Sequence, residues 1–292
     1  AGTVGFPTTP FLIKDMILAV KRLHRAVVEG ESIVIYGDYD ADGVTSSALL
    51  YRFFEALNIS SQVYIPNRYD EGYGLNEDAI RQLANEGANL IITVDCGVRA
   101  VDEVALANQL GVDVIVSDHH HPGSELPSAV AVIDPKQPGD TYPEKFLAGV
   151  GLAYKLTQAY LETHPQEGVN ADDWLDLVAI GTVADLAPLR GENRMLVKKG
   201  LEKIRHSPRQ GVFSLAQVAG IDLKKCDASN IGFGLGPRLN AAGRLESALS
   251  AFELLTTDDL LKAGQLAQSL DSYNSERQDM THQIRQEAAE RV

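Results

Sequence analysis

Five short apolar runs, rich in β-branched residues, recur between residues 32 and 133 and constrain the fold more than any other feature. Stretches with helical spacing separate them. The runs lie at residues 32–36, 62–65, 90–94, 112–116 and 130–133. Continuous apolar strands that alternate with helices are typical of a parallel sheet covered by helices on both faces. We therefore predict an α/β fold with a parallel sheet of about five strands.

The stretches between these strands carry the signals of helix ends as well as helical spacing. Asn76 is a residue type that caps helix N-termini, and Gly87 and Gly111 stand where helices commonly end in glycine. The helices that we predict between the strands span residues 45–57, 77–86 and 100–110.

The strand pattern stops after about Pro135, and the rest of the sequence reads as helical. Helices are predicted at residues 148–163, 171–184, 193–206, 214–220 and 245–255. From Asp258 to the end we predict one long helix, whose apolar stripe thins after Asn274. The predicted organisation is one domain over residues 1–255, with an α/β part at about 30–135 and a helical part at about 145–255. Residues 256–292 then form a separate long C-terminal helix.

Composition limits the cellular setting. The net charge of −14 has the wrong sign for a protein that binds nucleic acid through its general surface. The sequence lacks any run of about 18 apolar residues, so we expect no membrane association. Cys96 and Cys226 are its two cysteines, and the N-terminus lacks the features of a secretion signal. We expect a cytoplasmic protein, and because the chain begins without Met we expect it to start inside a longer gene product.

Acidic residues and histidines follow three of the predicted strands directly. The first strand runs into Asp38, Asp40 and Asp42, the third into Asp95, and the fourth into the segment 118–121, which is Asp-His-His-His. Ligands of open α/β sheets bind at the carboxyl ends of the strands. Carboxylates that lie so close together repel one another unless cations neutralise them. The pattern therefore predicts a site for divalent metal ions.

Each of these motifs also has a simpler interpretation. The Asp-x-Asp-x-Asp-Gly spacing from Asp38 resembles the start of an EF-hand loop, but the twelfth position is Leu49 instead of Glu and a strand precedes the loop. The histidines are compatible with a surface loop, and Asp95 is compatible with a helix cap. Their coincidence at neighbouring strand ends favours the metal site. The sequence contains neither a P-loop nor a zincin motif.

Taken together, these motifs resemble the DHH phosphoesterases. The segments 38–43, 94–97 and 118–120 resemble the signatures of that family, and 184–189 resembles the segment that supplies its last metal carboxylate. The segments 68–75, 236–244 and 270–278 resemble the branch that degrades single-stranded DNA. The pyrophosphatase branch has a His where this chain has Tyr36, which argues against that branch.

The resemblance implies two divalent metal ions, Mn²⁺ or Mg²⁺, and a role for each matching residue. Asp40 and Asp95 would bind one metal, with Asp38 beside it. A second metal would be bound by Asp42, His119 and Asp185, with Asp95 as the bridging ligand. His120 would face the scissile phosphate, so that the catalytic set is His120, Asp95 and Asp38. Backbone phosphates would be bound by Arg68, Arg238, Asn240 and Arg244, and we expect the last three to lie in a loop at 236–244 that is framed by glycines.

The implied activity is 5′-to-3′ hydrolysis of single-stranded DNA in repair and recombination. The implied partners are single-stranded DNA, a single-strand-binding protein and a helicase. The alternatives are a phosphodiesterase for short oligonucleotides or cyclic dinucleotides, and a scaffold of replication without catalytic activity. One departure concerns a Gly-Gly-His motif of the family's second domain, called DHHA1, because the sequence contains none. We therefore expect a catalytic core fragment in which residues 256–292 are a linker helix toward an absent DHHA1 domain.

Overall fold

Five parallel strands form one sheet in the order β2-β1-β3-β4-β5 in the computed structural model, which describes residues 8–68, 71–245 and 247–290. The strands are β1 (Ile33–Gly37), β2 (Ser61–Tyr64), β3 (Leu90–Val94), β4 (Asp113–Ser117) and β5 (Ala131–Ile133). Every predicted strand is confirmed, and each end differs from the prediction by at most one residue.

The central strands are buried because helices cover both faces of the sheet. Along β1, Ile33 and Ile35 belong to the apolar core on one face, whereas Val34 and Tyr36 belong to the core on the other. All four side chains are at most 1% exposed. This two-sided burial is the physical reason that the strands read as uninterrupted apolar runs.

Twelve α-helices lie within the described residues. They are α1 (Met16–Glu29), α2 (Ala41–Ala56), α3 (Glu77–Asn85), α4 (Val101–Gln109), α5 (Gly149–Thr163), α6 (Leu175–Ala184), α7 (Gly191–His206), α8 (Gln210–Val218), α9 (Ala228–Asn230), α10 (Gly236–Leu245), α11 (Leu249–Thr256) and α12 (Leu260–Glu290). Short 3₁₀ turns span Pro10–Leu12, Ala171–Trp174 and Leu223–Lys225, and a π-helix spans Ile231–Leu235. None of the described helices is both long and apolar enough to cross a membrane.

The predicted cap residues Asn76, Gly87 and Gly111 stand at helix ends, whereas α2 and α8 each begin four residues before their predicted starts. The side chain of Asn76 accepts a hydrogen bond from Ala79 N at 2.8 Å at the start of α3, as predicted. Helix α2 begins four residues before the predicted start at Thr45, because Asp40 is its N-cap and accepts bonds from the backbone nitrogens of Asp42 and Gly43. One motif therefore carries both candidate metal ligands and a helix start.

The segment 236–244 forms α10, which corrects the expectation of a glycine-framed loop. A Cβ on Gly236 would lie 3.1 Å from Ala184 Cβ, and a Cβ on Gly243 would collide with the carbonyl oxygen of Tyr39. These glycines permit close packing of a helix and do not mark a loop. The predicted helix 245–255 likewise divides between α10 and α11.

Helix α12 packs on the helical part of the protein through its first half. Ala263, Ala267 and Leu270 are fully buried there, and Asn274 is 3% exposed. The side chains of residues 278–286 are exposed. The helix therefore stays on the core through Asn274, where the predicted apolar stripe thins, and leaves it afterwards.

Candidate metal centre

The carboxyl ends of β1, β3 and β4 lie side by side at one edge of the sheet. Gly37 pairs with Val94, and Val94 pairs with Ser117, so the three strands end in register. The next residues of the three strands are Asp38, Asp95 and Asp118, which therefore emerge together. After β1 the chain forms β2 on one side of that strand and then β3 on the other side. Such a reversal of strand order is a switch point, where open α/β sheets bind ligands.

Seven side chains at this edge form one continuous cluster of potential ligands. The cluster consists of three groups, and in each group the ligand atoms lie within 4.8 Å of one another. The groups are Asp38–Asp40–Asp95, Asp42–His119–Asp185 and Asp95–His119–His120. Asp95 and His119 each belong to two of these groups and so connect them. The first two groups contain the same residues as the two ligand sets that the family resemblance implies.

Three ligand atoms of the cluster are buried without a hydrogen-bond partner in the described part of the chain. They are Asp38 Oδ1, Asp95 Oδ1 and His119 Nε2. The last two lie 3.0 Å apart, but their contact lacks hydrogen-bond geometry. Buried polar atoms are rarely left unpaired, since each costs about 1–3 kcal/mol. Atoms that converge without bonding to one another fit a divalent cation, and oxygen and imidazole donors suit Mn²⁺.

Burial and mutual repulsion raise the pKa of four carboxyl groups in the cluster. Burial and then the charge of Asp40 raise the pKa of Asp38 to about 7 and that of Asp42 to about 7. Burial and then the charge of Asp42 raise the pKa of Asp185 to about 6 and that of Asp95 well above its usual value. Such a site favours cations, because they stabilise the charged carboxylates.

Two helices behind the cluster approach it closely through glycine. The carboxylate of Asp42 accepts hydrogen bonds from Gly149 N at 2.6 Å and Val150 N at 2.9 Å, at the N-terminus of α5. A Cβ on Gly149 would lie 2.8 Å from Asp95 Cβ, and one on Gly181 of α6 would lie 2.9 Å from Asp42 Oδ1. These two positions have no room for a side chain, so the helices fix both carboxylates.

Asp118 has a positioning role that the sequence analysis did not assign. Its carboxylate accepts hydrogen bonds from the backbone nitrogens of Val98, His119 and His120. It also lies 2.8 Å from His120 Nδ1, and this contact raises the pKa of His120. The first residue of the Asp-His-His motif therefore shapes the turn and leaves His120 Nε2 available. Its position directly after a strand was the signal for this role.

Two of the expected phosphate-binding residues border the loop that follows β1. The guanidinium of Arg68 lies 5.3 Å from the centre of the Tyr39 ring. Burial raises the pKa of Tyr39, and the positive charges of Arg68 and Arg244 partly offset this increase. Asn240 contacts the same loop, because its Oδ1 accepts a hydrogen bond from Ala41 N at 2.8 Å. The structure therefore brings three of the four residues to this loop.

Arg238, the fourth residue, is engaged within the protein. Its Nε donates to Asp271 Oδ1 of α12 at 2.8 Å, and its NH1 donates to the Gly234 carbonyl at 2.9 Å. The side chain is 15% exposed. Arg238 therefore joins α10 to α12, and binding of a DNA phosphate by Arg238 would require this ion pair to open.

We predict that Arg238→Ala lowers the free energy of unfolding by about 1–2 kcal/mol, because it leaves a partly buried carboxylate unpaired. Asp271→Ala should cost a similar amount, and the double variant should cost less than the sum of the two. Urea unfolding measures all three. Lys262→Ala removes an exposed ion pair between Lys262 and Glu253 and should change stability by less than about 0.5 kcal/mol. Unchanged stability in Arg238→Ala, together with weaker DNA binding, would contradict the packing role.

Comparisons with known proteins agree with this arrangement. Residues 32–182 match the family described as "DHH family, N-terminal domain". The single-stranded-DNA-specific exonuclease RecJ of Bacillus subtilis is 47% identical over 283 residues, which are 97% of this chain and 35% of that protein. RecJ of Escherichia coli is 42% identical over 281 residues, which are 92% of this chain and 49% of that protein.

Solved structures give the same result. A crystal structure of exonuclease RecJ bound to manganese superposes with a TM-score of 0.87 at 36% identity, over 95% of this chain and 70% of that one. RecJ from Thermus thermophilus in complex with Mn²⁺ superposes with a TM-score of 0.82 at 36% identity, over 93% of this chain and 39% of that one. The chain spans between 35% and 50% of the length of the first curated relatives. It belongs to the DHH family and, within that family, to the RecJ exonucleases.

Proposed function

We propose that this chain carries the active site of a two-metal, single-strand-specific exodeoxyribonuclease that digests DNA from the 5′ end. The observation that carries the proposal is the cluster of buried, unpaired ligand atoms at the ends of β1, β3 and β4. Relatives that are named single-stranded-DNA-specific exonucleases support the reaction. Structures of RecJ with Mn²⁺ and with Mg²⁺ support the choice of metal.

In this proposal the two ligand groups hold one divalent ion each. Asp38, Asp40 and Asp95 would hold the first ion, Asp42, His119 and Asp185 would hold the second, and Asp95 would be shared between them. When bound, such a pair of ions activates a water molecule and neutralises the charge that develops on the phosphate.

The residues of the chain orient the substrate at this centre. His120 offers Nε2 to an oxygen of the scissile phosphate, because its Nδ1 is held by Asp118. Its side chain is 44% exposed, so a phosphate has access to the ring. Asp95 and Asp42 stay fixed, since α5 and α6 pack against them through glycine. A rigid ligand set contributes to catalysis by being arranged before the substrate arrives.

Arg68 and Arg244 bind backbone phosphates next to the metal centre, and Asn240 fixes the loop between them. We predict that Arg68→Ala and Arg244→Ala each weaken binding of single-stranded DNA. Each should also reduce the slope of the logarithm of the binding constant against the logarithm of the salt concentration by about 0.7, because binding releases one counterion fewer. Fluorescence anisotropy across a salt series measures this slope. Arg81→Ala, at an exposed position of α3, is the matched control. Unchanged slopes in both variants would mean that these arginines do not contact phosphate.

Digestion of labelled substrates in Mn²⁺ tests the proposed function. We expect rapid loss of a long 5′-labelled single strand and little loss of the same sequence as a duplex. Faster turnover of a dinucleotide or cyclic dinucleotide than of the long strand would point to the small-substrate activity instead. DNA binding without hydrolysis of any substrate would point to a scaffold.

We further propose that the enzyme acts in cytoplasmic DNA repair and recombination, beside a single-strand-binding protein and a helicase. The family relationship supports this setting, and both cysteines are buried free thiols, as expected in a reducing compartment. Faster digestion of a duplex when a helicase and a single-strand-binding protein are added would test the partnership.

We also propose that residues 1–255 are the catalytic domain and that 256–292 is a linker helix toward a DHHA1 domain. The exposed surface of α12 after Asn274, which includes Met280 and Ile284, supports a further contact there. Replacing both residues by Gln in a protein that has the second domain should reduce digestion of long strands more than of short ones. Equal effects on both lengths would argue against a linker that aligns the two domains.

A further inference from the structure

A cavity of about 290 Å³ opens beside the candidate metal centre, next to His120. Asp118 and His120 form part of its lining, so it is continuous with the place where a phosphate would be cleaved. The remaining walls come from the turn before α3 and from the segment between β3 and α4. Its volume lies at the lower end of the range for small-molecule pockets, which suits one nucleotide better than several.

The walls of the cavity combine apolar side chains with polar groups. Leu75 and Val98 line it and are 6% and 1% exposed, because both belong to the core beneath the sheet. The ring of Tyr73 forms another wall and is 55% exposed. Gly74 and Gly97 line the cavity with φ of 81° and 104°, a conformation that other residues rarely adopt.

Two side chains of opposite charge supply the polar groups. Arg99 donates its Nε to the carbonyl of His121 at 2.7 Å, and Glu103 lies in the first turn of α4. Within the described parts of the chain, the terminal nitrogens of Arg99 and the carboxylate of Glu103 have no hydrogen-bond or ion-pair partner. The cavity thus contains available donors and an available acceptor.

This combination of groups matches a nucleobase better than a phosphate. A base has two apolar faces and an edge that carries both donors and acceptors, for which arginine and carboxylate are common partners. A second phosphate in the cavity would meet the carboxylates of Glu103 and Asp118. The arginine side chains beside Tyr39 offer phosphates a better position.

Aromatic contacts connect this cavity to the arginine side of the site. Tyr73 lies between Tyr39 and His120, with edge-to-face ring contacts at 6.3 and 6.0 Å. Arg68 lies over the ring of Tyr39, the member of this row that Tyr73 separates from His120. A strand with its scissile phosphate at His120 can therefore have phosphates near Arg68 while one base enters the cavity.

We propose that this cavity binds the base of the terminal nucleotide of a DNA single strand and that Tyr73, Arg99 and Glu103 recognise it. This assignment rests on the proposed function. It implies that the terminal base, as well as the phosphate, determines how well an end is cleaved.

Single strands with a base-free terminal residue test the assignment. The Mn²⁺-loaded protein should cleave them with a kcat/KM about 5- to 100-fold below that for a normal end, the range expected from loss of one stacked base. Ala100→Phe places a ring in the cavity wall. It should slow cleavage of the normal end, so that the two substrates have equal kcat/KM. Asp102→Ala, at an exposed neighbouring position outside the lining, should keep the preference. The Mn²⁺-induced rise in melting temperature should be the same in all three proteins.

The outcomes separate the two proposals. Equal kcat/KM for both ends in the unmodified protein, or a full preference in Ala100→Phe, would overturn the cavity assignment while leaving exonuclease activity intact. No hydrolysis of either substrate in Mn²⁺ would overturn the proposed function and the assignment with it.

Discussion

Asp95→Asn should reduce hydrolysis of single-stranded DNA by roughly three orders of magnitude and leave the fold intact. Asp95 belongs to the first ligand group, and its Oδ1 lies 3.0 Å from His119 Nε2 of the second group, so its loss should affect both proposed metal positions. Metal ions contribute several kcal/mol of charge stabilisation, and about 1.4 kcal/mol corresponds to a tenfold change in rate. Asn is the right replacement because the backbone φ of Asp95 is 63°, which Asn tolerates and Ala does not.

Calorimetric titration with Mn²⁺ and circular dichroism complete this experiment. The stoichiometry should fall below that of the unmodified protein, while the spectrum and the cooperative unfolding transition remain. Asp102→Asn removes an exposed carboxylate from α4 and should leave both turnover and stoichiometry unchanged. Near-normal turnover of Asp95→Asn with full Mn²⁺ binding would exclude Asp95 as the shared ligand.

Mn²⁺ at about 100 times its dissociation constant should raise the melting temperature by roughly 5–10 °C at about pH 7.5, and by clearly less at about pH 5. The pKa values of Asp38, Asp42 and Asp185 are raised, so the folded protein holds protons that the unfolded chain releases. The stability contributed by the protonated cluster is therefore present at acid pH and is lost as the pH rises toward about 7. Mn²⁺ replaces those protons near neutral pH and competes with them at lower pH.

Thermal unfolding with EDTA or with MnCl₂ at the two pH values measures this linkage. Asp38→Asn provides a matched variant, because it removes one repelling carboxylate and one ligand together. It should be more stable than the unmodified protein in EDTA near neutral pH and should gain less from Mn²⁺. An equal gain from Mn²⁺ at both pH values would mean that these carboxylates do not bind it.

The sheet and the cluster could be predicted from the sequence because local patterns determine both. Burial on both faces of the sheet makes each strand an apolar run, and parallel strands that end in register bring Asp38, Asp95 and Asp118 together. Helix α1 was not predicted, because Ile17 and Leu18 are 53% and 49% exposed and obscure its apolar face. Local patterns therefore predicted the acidic residues and histidines at the strand ends, whereas Asp185 was assigned through the family resemblance and α1 was missed.

Features that depend on distant contacts could not be predicted in this way. Gly236 and Gly243 have the composition of a loop, and only their packing against Ala184 and Tyr39 shows why a helix requires glycine there. Arg238 has the appearance of a phosphate ligand until its partner Asp271, 33 residues later, is known. The cavity beside His120 likewise joins segments that follow different strands.

Anomalous diffraction from crystals soaked in Mn²⁺ is the most direct test of the metal centre, because it locates the ions without relying on activity. We expect two peaks, one among Asp38, Asp40 and Asp95 and the other among Asp42, His119 and Asp185. A single peak elsewhere, or no peak among these side chains at saturating Mn²⁺, would contradict the proposal that this cluster is a two-metal site.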